Sequence, residues 1–449
     1  MASPGSEAEP LRVAIVGAGP AAYYAADQLL KQPDRTVAVD MFDRLPTPYG
    51  LVRAGVAPDH QKIKSVTAAF DKVAAHPGFR FFGGVEIGKH LTVEDLRRHD
   101  HQILYATGAQ TDRRMGIPGE DLHGSHPATE FVAWYNGHPD YRDAEFDLSH
   151  ERAAVVGVGN VAVDVARILS RSPEELASTD IADHALEALR KSRVREVYLL
   201  GRRGPAQAAF TNPEIKELGE LADADVVALP DEVELDPLSR AALERSQDRA
   251  TVKKVEILKE YARREPSGKG RRLVLRFLVS PVELIGNAAG DVSALRLVRN
   301  ELFATPTGTL QARPTGAHEE LPVGLVFRSV GYRGVPVPGV PFNESWGVIL
   351  NEKGRVLDAE TKQPAVGEYA TGWIKRGPSG VIGTNKPDAA ETVTAMMEDV
   401  SAGHVGRPTE GRDALAALVR ARQPHVVSYD DWRRLDAIET ARGLSLIHI

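Results

Sequence analysis

Gly17, Gly19 and Ala22 stand in the stretch 13–22, VAIVGAGPAA, and Gly157, Gly159 and Ala162 repeat their spacing in 153–167, AAVVGVGNVAVDVAR. The chemistry such a Gly-x-Gly-x-x-Ala turn performs is the holding of a pyrophosphate. The first glycine permits a sharp bend, the second lets the backbone approach the phosphates, and the small last residue lets the helix pack close to its strand. The helix N-terminus then offers unpaired amides and a favourable dipole to the anion. One such pattern arises by chance. Two, each between an apolar run and a helical one, predict two bound dinucleotides. Gly17, Gly19, Pro20 and Ala21 are the candidate contacts of the first turn, and Gly159 leads those of the second.

The strand after each turn indicates which nucleotide is held. Strand 37–42 ends in Asp43, placed where an acid hydrogen-bonds a ribose hydroxyl. Strand 194–200 ends instead in GRRGP, 201–205. Arginines there pair with the 2′-phosphate of NADP, so Arg202 and Arg203 indicate NADP(H) in the second site. FAD in the first site and NADPH in the second make a flavoprotein in which hydride passes from nicotinamide to flavin. A helix start near the flavin would stabilise its reduced, negative form. The stretch PSGVI, 378–382, is the candidate, with the amides of Gly380, Val381 and Ile382 as donors beside Trp373 and two cations.

The elements that must position these residues follow from periodicity and punctuation. Strand 11–16, helix 20–31, strand 37–42 and a Pro/Gly-rich loop 45–60 come first. A helix is expected over 60–75 with Asp59 as its cap, then strands 79–83 and 102–106 and a connector over 116–141. The second unit follows from residue 152, with a polar helical insertion over 172–189 and a short helix over 211–221 carrying Pro213 and Glu214. Stretches 273–283 and 294–302 suggest a β-meander, 325–332 a returning strand, and 368–372 a strand before a helix reaching about residue 400. The segment from 412 is helical with no legible role. The fold class is therefore α/β with two Rossmann-like ββα nucleotide-binding domains, the NADP domain inserted into a discontinuous FAD domain. The expected divisions are a flexible tail 1–10, FAD domain 11–111, NADP domain 112–333, and FAD domain resumed over 334–449 with a helical end.

Composition narrows the function. The chain of 449 residues exceeds one core, and its net charge of −7 argues against generic nucleic-acid binding. No apolar run has the length of a membrane span, and 1–10 is acidic without an apolar segment, so a cytoplasmic location is expected. With no cysteine, the chain holds no disulfide, thiolate-bound cluster or redox-active Cys-x-x-Cys, so electrons must leave the flavin directly. No metal site is expected.

Four longer strings carry a resemblance: TPYGLVRAGVAPDH (47–60), GNVAVDVARIL (159–169), GRRGPAQAAFT (201–211) and GWIKRGPSGVIGTNK (372–386). Over about 11–440 the chain resembles the adrenodoxin reductase and FprA-type NADPH–ferredoxin reductases, the mycobacterial FprA type above all. The resemblance implies a glutathione-reductase-like fold. It also implies a ferredoxin–NADP(+) reductase passing electrons from NADPH through FAD, singly, to an iron–sulfur ferredoxin that feeds P450s or other ferredoxin-dependent enzymes. Carried over by position, His60 and Glu214 match a polar pair near the nicotinamide, as positioning groups. Asn160, Val161, Arg202 and Arg203 match NADP contacts, and Leu51, Trp373, Gly380, Val381 and Ile382 match flavin contacts. The chain departs from the pattern at Asp43, where Glu is usual, at Asn212–Pro213, and in its end, LSLIHI. That end is set aside as a truncation or sequence scar. A ferredoxin partner would be acidic, and Lys216, Arg240 and the run 249–276, with ten basic residues against three acidic, are candidates to meet it. Competing possibilities are an NADPH diaphorase or quinone reductase, and a non-catalytic nucleotide-binding redox subunit.

Overall fold

The computed structural model describes residues 4–443, so the end LSLIHI lies outside the described residues. The chain forms two compact units. Of the described residues, the first comprises those up to Val56, His60–Thr111 and those from Tyr332 onward; the second comprises Ala57–Asp59 and Asp112–Gly331. The expected divisions thus shift at two places: Tyr332 and Arg333 lie with the first unit, and 57–59 with the second.

The first unit is built on a seven-stranded sheet. From one edge the order is Asn351–Glu352, Arg355–Leu357, Pro364–Ala370, Gln102–Tyr105, Leu11–Val16, Val37–Asp43 and Phe79–Gly83. The last five are parallel, and the late strand Pro364–Ala370 enters the sheet by pairing Tyr369 with Leu104. Alternation explains the apolar run of Leu11–Val16. Leu11, Val13 and Ile15 meet Ala22, Tyr23 and Ala389 on one face, while Ala14 and Val16 meet Leu96, Ile374 and Leu415 on the other. A parallel strand covered on both faces has no solvent side to make polar. Residues 4–9 are not a loose tail. Gly5 N–H donates to Glu9 O at 2.8 Å, and Gly5 O accepts the Thr36 amide at 2.8 Å.

The second unit has a six-stranded parallel sheet ordered Ser125–Pro127, Leu325–Arg328, Arg152–Val156, Glu196–Gly201, Arg271–Phe277 and Ala224–Ala228. Ala153 and Val155 face the helical layer; Ala154 and Val156 face a three-stranded antiparallel sheet of Val279–Gly286, Val292–Ala304 and Leu310–Pro322. The stretch 273–283 is accordingly two strands rather than one meander strand. Leu278, in the left-handed region at φ 57°, turns the chain out of the parallel sheet and into the antiparallel one. The connector 116–141 also holds a strand and the helix Ala128–Tyr135, which buries Phe131, Val132 and Tyr135. Among the described residues no helix is long and apolar enough to cross a membrane.

Candidate dinucleotide sites

In the first unit, Gly17 has φ 102°, and a β-carbon there would lie 2.5 Å from Ala106 O, so only glycine allows the bend. Gly19 differs. Its backbone is ordinary, and an added β-carbon would meet nothing within 4 Å. The helix Pro20–Leu30 that follows has no side-chain cap and no acid in its first turn. Among the described residues the amides of Gly19 and Ala21 donate to no protein acceptor. An open glycine followed by an uncapped, uncharged helix start is what an anion requires. Asp43 closes the strand beneath. Its Oδ2 accepts the Ala18 amide and its Oδ1 the Leu45 amide, each at 2.9 Å. Burial pushes its pKa up to about 6, against the pull of those two amides. The shorter acid is therefore an anchor of the glycine turn itself. Leu51 begins the short helix Leu51–Ala54 and is partly exposed.

The later strand brings a second group of residues to the same turn. Gly372 packs so closely on Ala21 that a β-carbon would lie 2.6 Å from Ala21 Cβ. Asp388 Oδ2 accepts the Gly372 amide at 2.5 Å and the Thr371 hydroxyl at 3.1 Å. Trp373 Nε1 donates to Ser379 O at 3.1 Å, and its ring lies 5.5 Å from Tyr332. After this loop a turn of 3-10 helix, Ile382–Thr384, leads into the helix Asn385–Ser401. The amides of Gly380, Val381 and Ile382 donate to no acceptor among the described residues. The two cations beside them are not free for a ligand. Lys375 pairs with Asp388 at 3.1 Å and Glu391 at 2.5 Å, and Arg376 lies 3.6 Å from Asp388. His60 stands at the start of the short helix Gln61–Lys64, with no capping bond from its side chain. The expected helix 60–75 is two pieces, the second being Thr67–Ala74, and Asp59 is not its cap.

The second unit repeats the first turn. Gly157 has φ 133° and would place a β-carbon 2.2 Å from Ser329 O, whereas Gly159 has nothing within 4 Å. The helix Asn160–Ser170 has neither side-chain cap nor first-turn acid. Asn160 Oδ1 accepts the Thr211 amide at 2.9 Å, fixing the loop before Glu214. Val161 follows in the same first turn, half-buried. Arg202 and Arg203 leave the end of Glu196–Gly201 with their carbonyls held by Asn300 Nδ2 at 2.8 Å and the Leu278 amide at 3.1 Å. Neither guanidinium has a carboxylate partner among the described residues. Burial and the neighbouring Arg202 both lower the pKa of Arg203. Two adjacent, uncompensated cations at the end of a strand call for an anion. Glu214, 8% exposed, sits in the first turn of Asn212–Leu218, with Pro213 at a first-turn position that suits proline. Burial raises its pKa while Arg167 opposes the shift.

Against known proteins, residues 11–204 match the pyridine nucleotide-disulphide oxidoreductase family model. The NADPH-ferredoxin reductase FprA of Mycobacterium tuberculosis is 48% identical over 448 residues, spanning 97% of this chain and 95% of that protein. The chain belongs to the FprA and adrenodoxin reductase family. The mitochondrial NADPH:adrenodoxin oxidoreductase of Arabidopsis thaliana is 40% identical over 449 residues, covering 98% of this chain and 92% of its own. The solved structure of M. tuberculosis FprA in complex with NADPH superposes with a TM-score of 0.92 at 46% identity, covering 98% and 97% of the two chains. The broader family is named for disulphide chemistry, which a chain without cysteine cannot perform.

For an FprA-family protein, the main residue missed in the sequence is Arg167. It is wholly buried and binds Asp59 at 2.7 and 2.9 Å, Asp164 at 2.7 Å and Glu214 at 3.3 Å. An arginine on the apolar face of a helix beside Val163 and Ala166 was the available signal. The basic run 249–276 also differs from expectation. Lys253, Lys259, Arg264, Arg271, Arg272 and Arg276 each pair with a carboxylate, and Lys254 and Lys269 donate to carbonyls. Lys216 lies 3.9 Å from Glu220, and Arg240 donates to Leu235 O. Most cations of the run are thus ion-paired or hydrogen-bonded, largely to partners outside the run.

Proposed function

We propose that the chain is an NADPH–ferredoxin reductase that binds FAD in its first unit and NADPH in its second. What supports this most is the second glycine turn, open at Gly159 and flanked by the uncompensated Arg202 and Arg203. An NAD site would present an acid there instead. The donor sets fit both groups. Gly19 and Ala21 offer amides to the FAD pyrophosphate, and Gly380, Val381 and Ile382 offer three more to the flavin's anionic edge. Bound FAD would supply the redox chemistry, accepting one hydride (two electrons) from NADPH and passing the electrons on one at a time.

The protein's own share is orientation. Arg202 and Arg203 take the 2′-phosphate, Asn160 and Val161 line the pyrophosphate, and Trp373 and Leu51 flank the flavin. His60 and Glu214 act as positioning groups for the nicotinamide. Burial raises the pKa of Glu214 while Arg167, 3.3 Å away, opposes the shift and holds the carboxyl in place. The acceptor is an iron–sulfur ferredoxin, of acidic surface on this reading, and the reaction runs in the cytoplasm. The test is anaerobic addition of NADPH to the purified protein. Bleaching of a bound flavin band by NADPH, and far more slowly by NADH, is the expected result. Protein that carries no flavin would instead be a non-catalytic nucleotide-binding subunit.

A further inference from the structure

The helix Tyr429–Arg442 carries no nucleotide-binding motif, yet it contacts the loop that lies on the first glycine turn. Tyr49 occupies the left-handed region at φ 80°, which a bulky residue holds only when its surroundings impose it. Its amide donates to Ala18 O at 2.8 Å, inside the glycine turn. The next residue, Gly50, passes so close over Gly19 that a β-carbon on it would lie 3.0 Å from Gly19 Cα. Tyr49–Gly50 is thus a bracket laid over the one glycine whose own side is open.

The far end of Tyr49 shows what imposes the strain. Its hydroxyl bonds Asp71 and lies 2.8 Å from the Tyr429 hydroxyl, which itself donates to the same Asp71 oxygen at 2.6 Å. Tyr429 opens its helix behind a capping box of Ser428 and Asp431. Further along that helix, Trp432 stacks edge-on to Tyr49 at 6.0 Å and lies beneath the Arg53 guanidinium at 4.8 Å. Glu439 then receives Arg53 at 2.7 Å on both oxygens. The helix therefore grips both Tyr49 and Arg53, on either side of Gly50 and Leu51.

We infer that the helix Tyr429–Arg442 is a latch for the first dinucleotide: through Tyr429, Asp71 and Tyr49 it holds the Tyr49–Gly50 bracket in place over Gly19. The residues are positioning residues, since they act on the nucleotide through the backbone they fix. FAD in this turn, as proposed above, is the premise on which the latch rests. A loosened bracket lets the dinucleotide escape without altering the second unit's turn.

The test uses the loaded protein and the variants Tyr49→Phe, Tyr429→Phe and both together. FAD release on dilution is followed by the gain of flavin fluorescence, and amide hydrogen exchange is mapped on the same samples. Each single variant should release FAD about tenfold faster, the consequence of one lost hydrogen bond to a charged group. The double variant should be no faster than the quicker single, because either change breaks the same three-way contact. Exchange should rise at residues 49–53 while the helix Tyr429–Arg442 keeps its protection. Release within twofold of the parent overturns the latch. Faster release with protection lost along the helix, but not at 49–53, overturns it also, since the tyrosines would then serve only helix packing. A parent protein without FAD would instead bring down the proposed function on which the latch stands.

Discussion

Arg167 Nη1 lies 3.3 Å from Glu214 Oε2, an ion pair in which the arginine is wholly buried. The same guanidinium holds Asp59 and Asp164, so three acids share one cation, with Arg171 adding a second contact to Asp59 at 3.0 Å. Burial alone would push Glu214 toward neutrality; Arg167 limits that shift and fixes where the carboxyl points. The pair also ties the residue before His60 into the second unit, because Asp59 belongs there. Replacing Arg167 by Met removes the one cation that all three acids share, while Arg171 still reaches Asp59. A loss of about 3–5 kcal/mol in urea unfolding is expected, well beyond an exposed pair. A loss under about 1 kcal/mol would mean the acids find other partners or protonate freely.

The two glycines of the second turn separate folding from binding. Gly157→Ala drives a β-carbon to 2.2 Å from Ser329 O at a φ of 133°. It should cost more than about 2 kcal/mol through strain and crowding. Gly159→Ala meets nothing within 4 Å and has an ordinary φ of −99°. It should melt like the parent yet bind NADP+ poorly, by calorimetric titration. A variant at Gly159 that binds normally would move the pyrophosphate elsewhere.

Arg202→Ala with Arg203→Ala should raise the KM for NADPH about 10- to 100-fold, the loss of charge-assisted bonds worth roughly 1.5–3 kcal/mol. The KM for NADH should stay near the parent value. Steady-state kinetics with both nucleotides decide it. Equal damage to both would mean the arginines bind a group the two cofactors share.

Much of this was legible because it is local. The glycine turns, the strands feeding them and the Arg202–Arg203 pair are each written within about twenty residues, and they stand where periodicity placed them. What the sequence hid depends on distant partners. Asp59 looks like a helix cap until Arg167, 108 residues away, takes its carboxylate. Lys375 and Arg376 look like ligand cations until Asp388 and Glu391 neutralise them. The strand break at Leu278 carries no glycine or proline to announce it, since the neighbouring sheets impose its left-handed backbone.

His101 gives the first unit an acid-sensitive point. It is 5% exposed, and its Nδ1 accepts the Arg12 amide at 3.0 Å, so the ring must stay neutral there. Burial, then the Arg12 charge, lowers its pKa to about 4 from 6.5. A depressed histidine pKa means the unfolded chain binds the proton first. Its contribution is therefore complete above about pH 6.5 and is lost as the pH falls through about 4. His101→Asn keeps an acceptor but cannot titrate. Urea midpoints should fall less between pH 7 and pH 5 in this variant than in the parent. An unchanged pH slope would show that His101 does not contribute.

Electron transfer from NADPH to a ferredoxin is measured most directly as NADPH-driven reduction of cytochrome c with and without added ferredoxin. A large stimulation by ferredoxin is expected, fading as salt rises because charged surfaces steer the encounter. Rates that ignore ferredoxins of several types yet run fast with quinones would contradict it and make the protein a diaphorase.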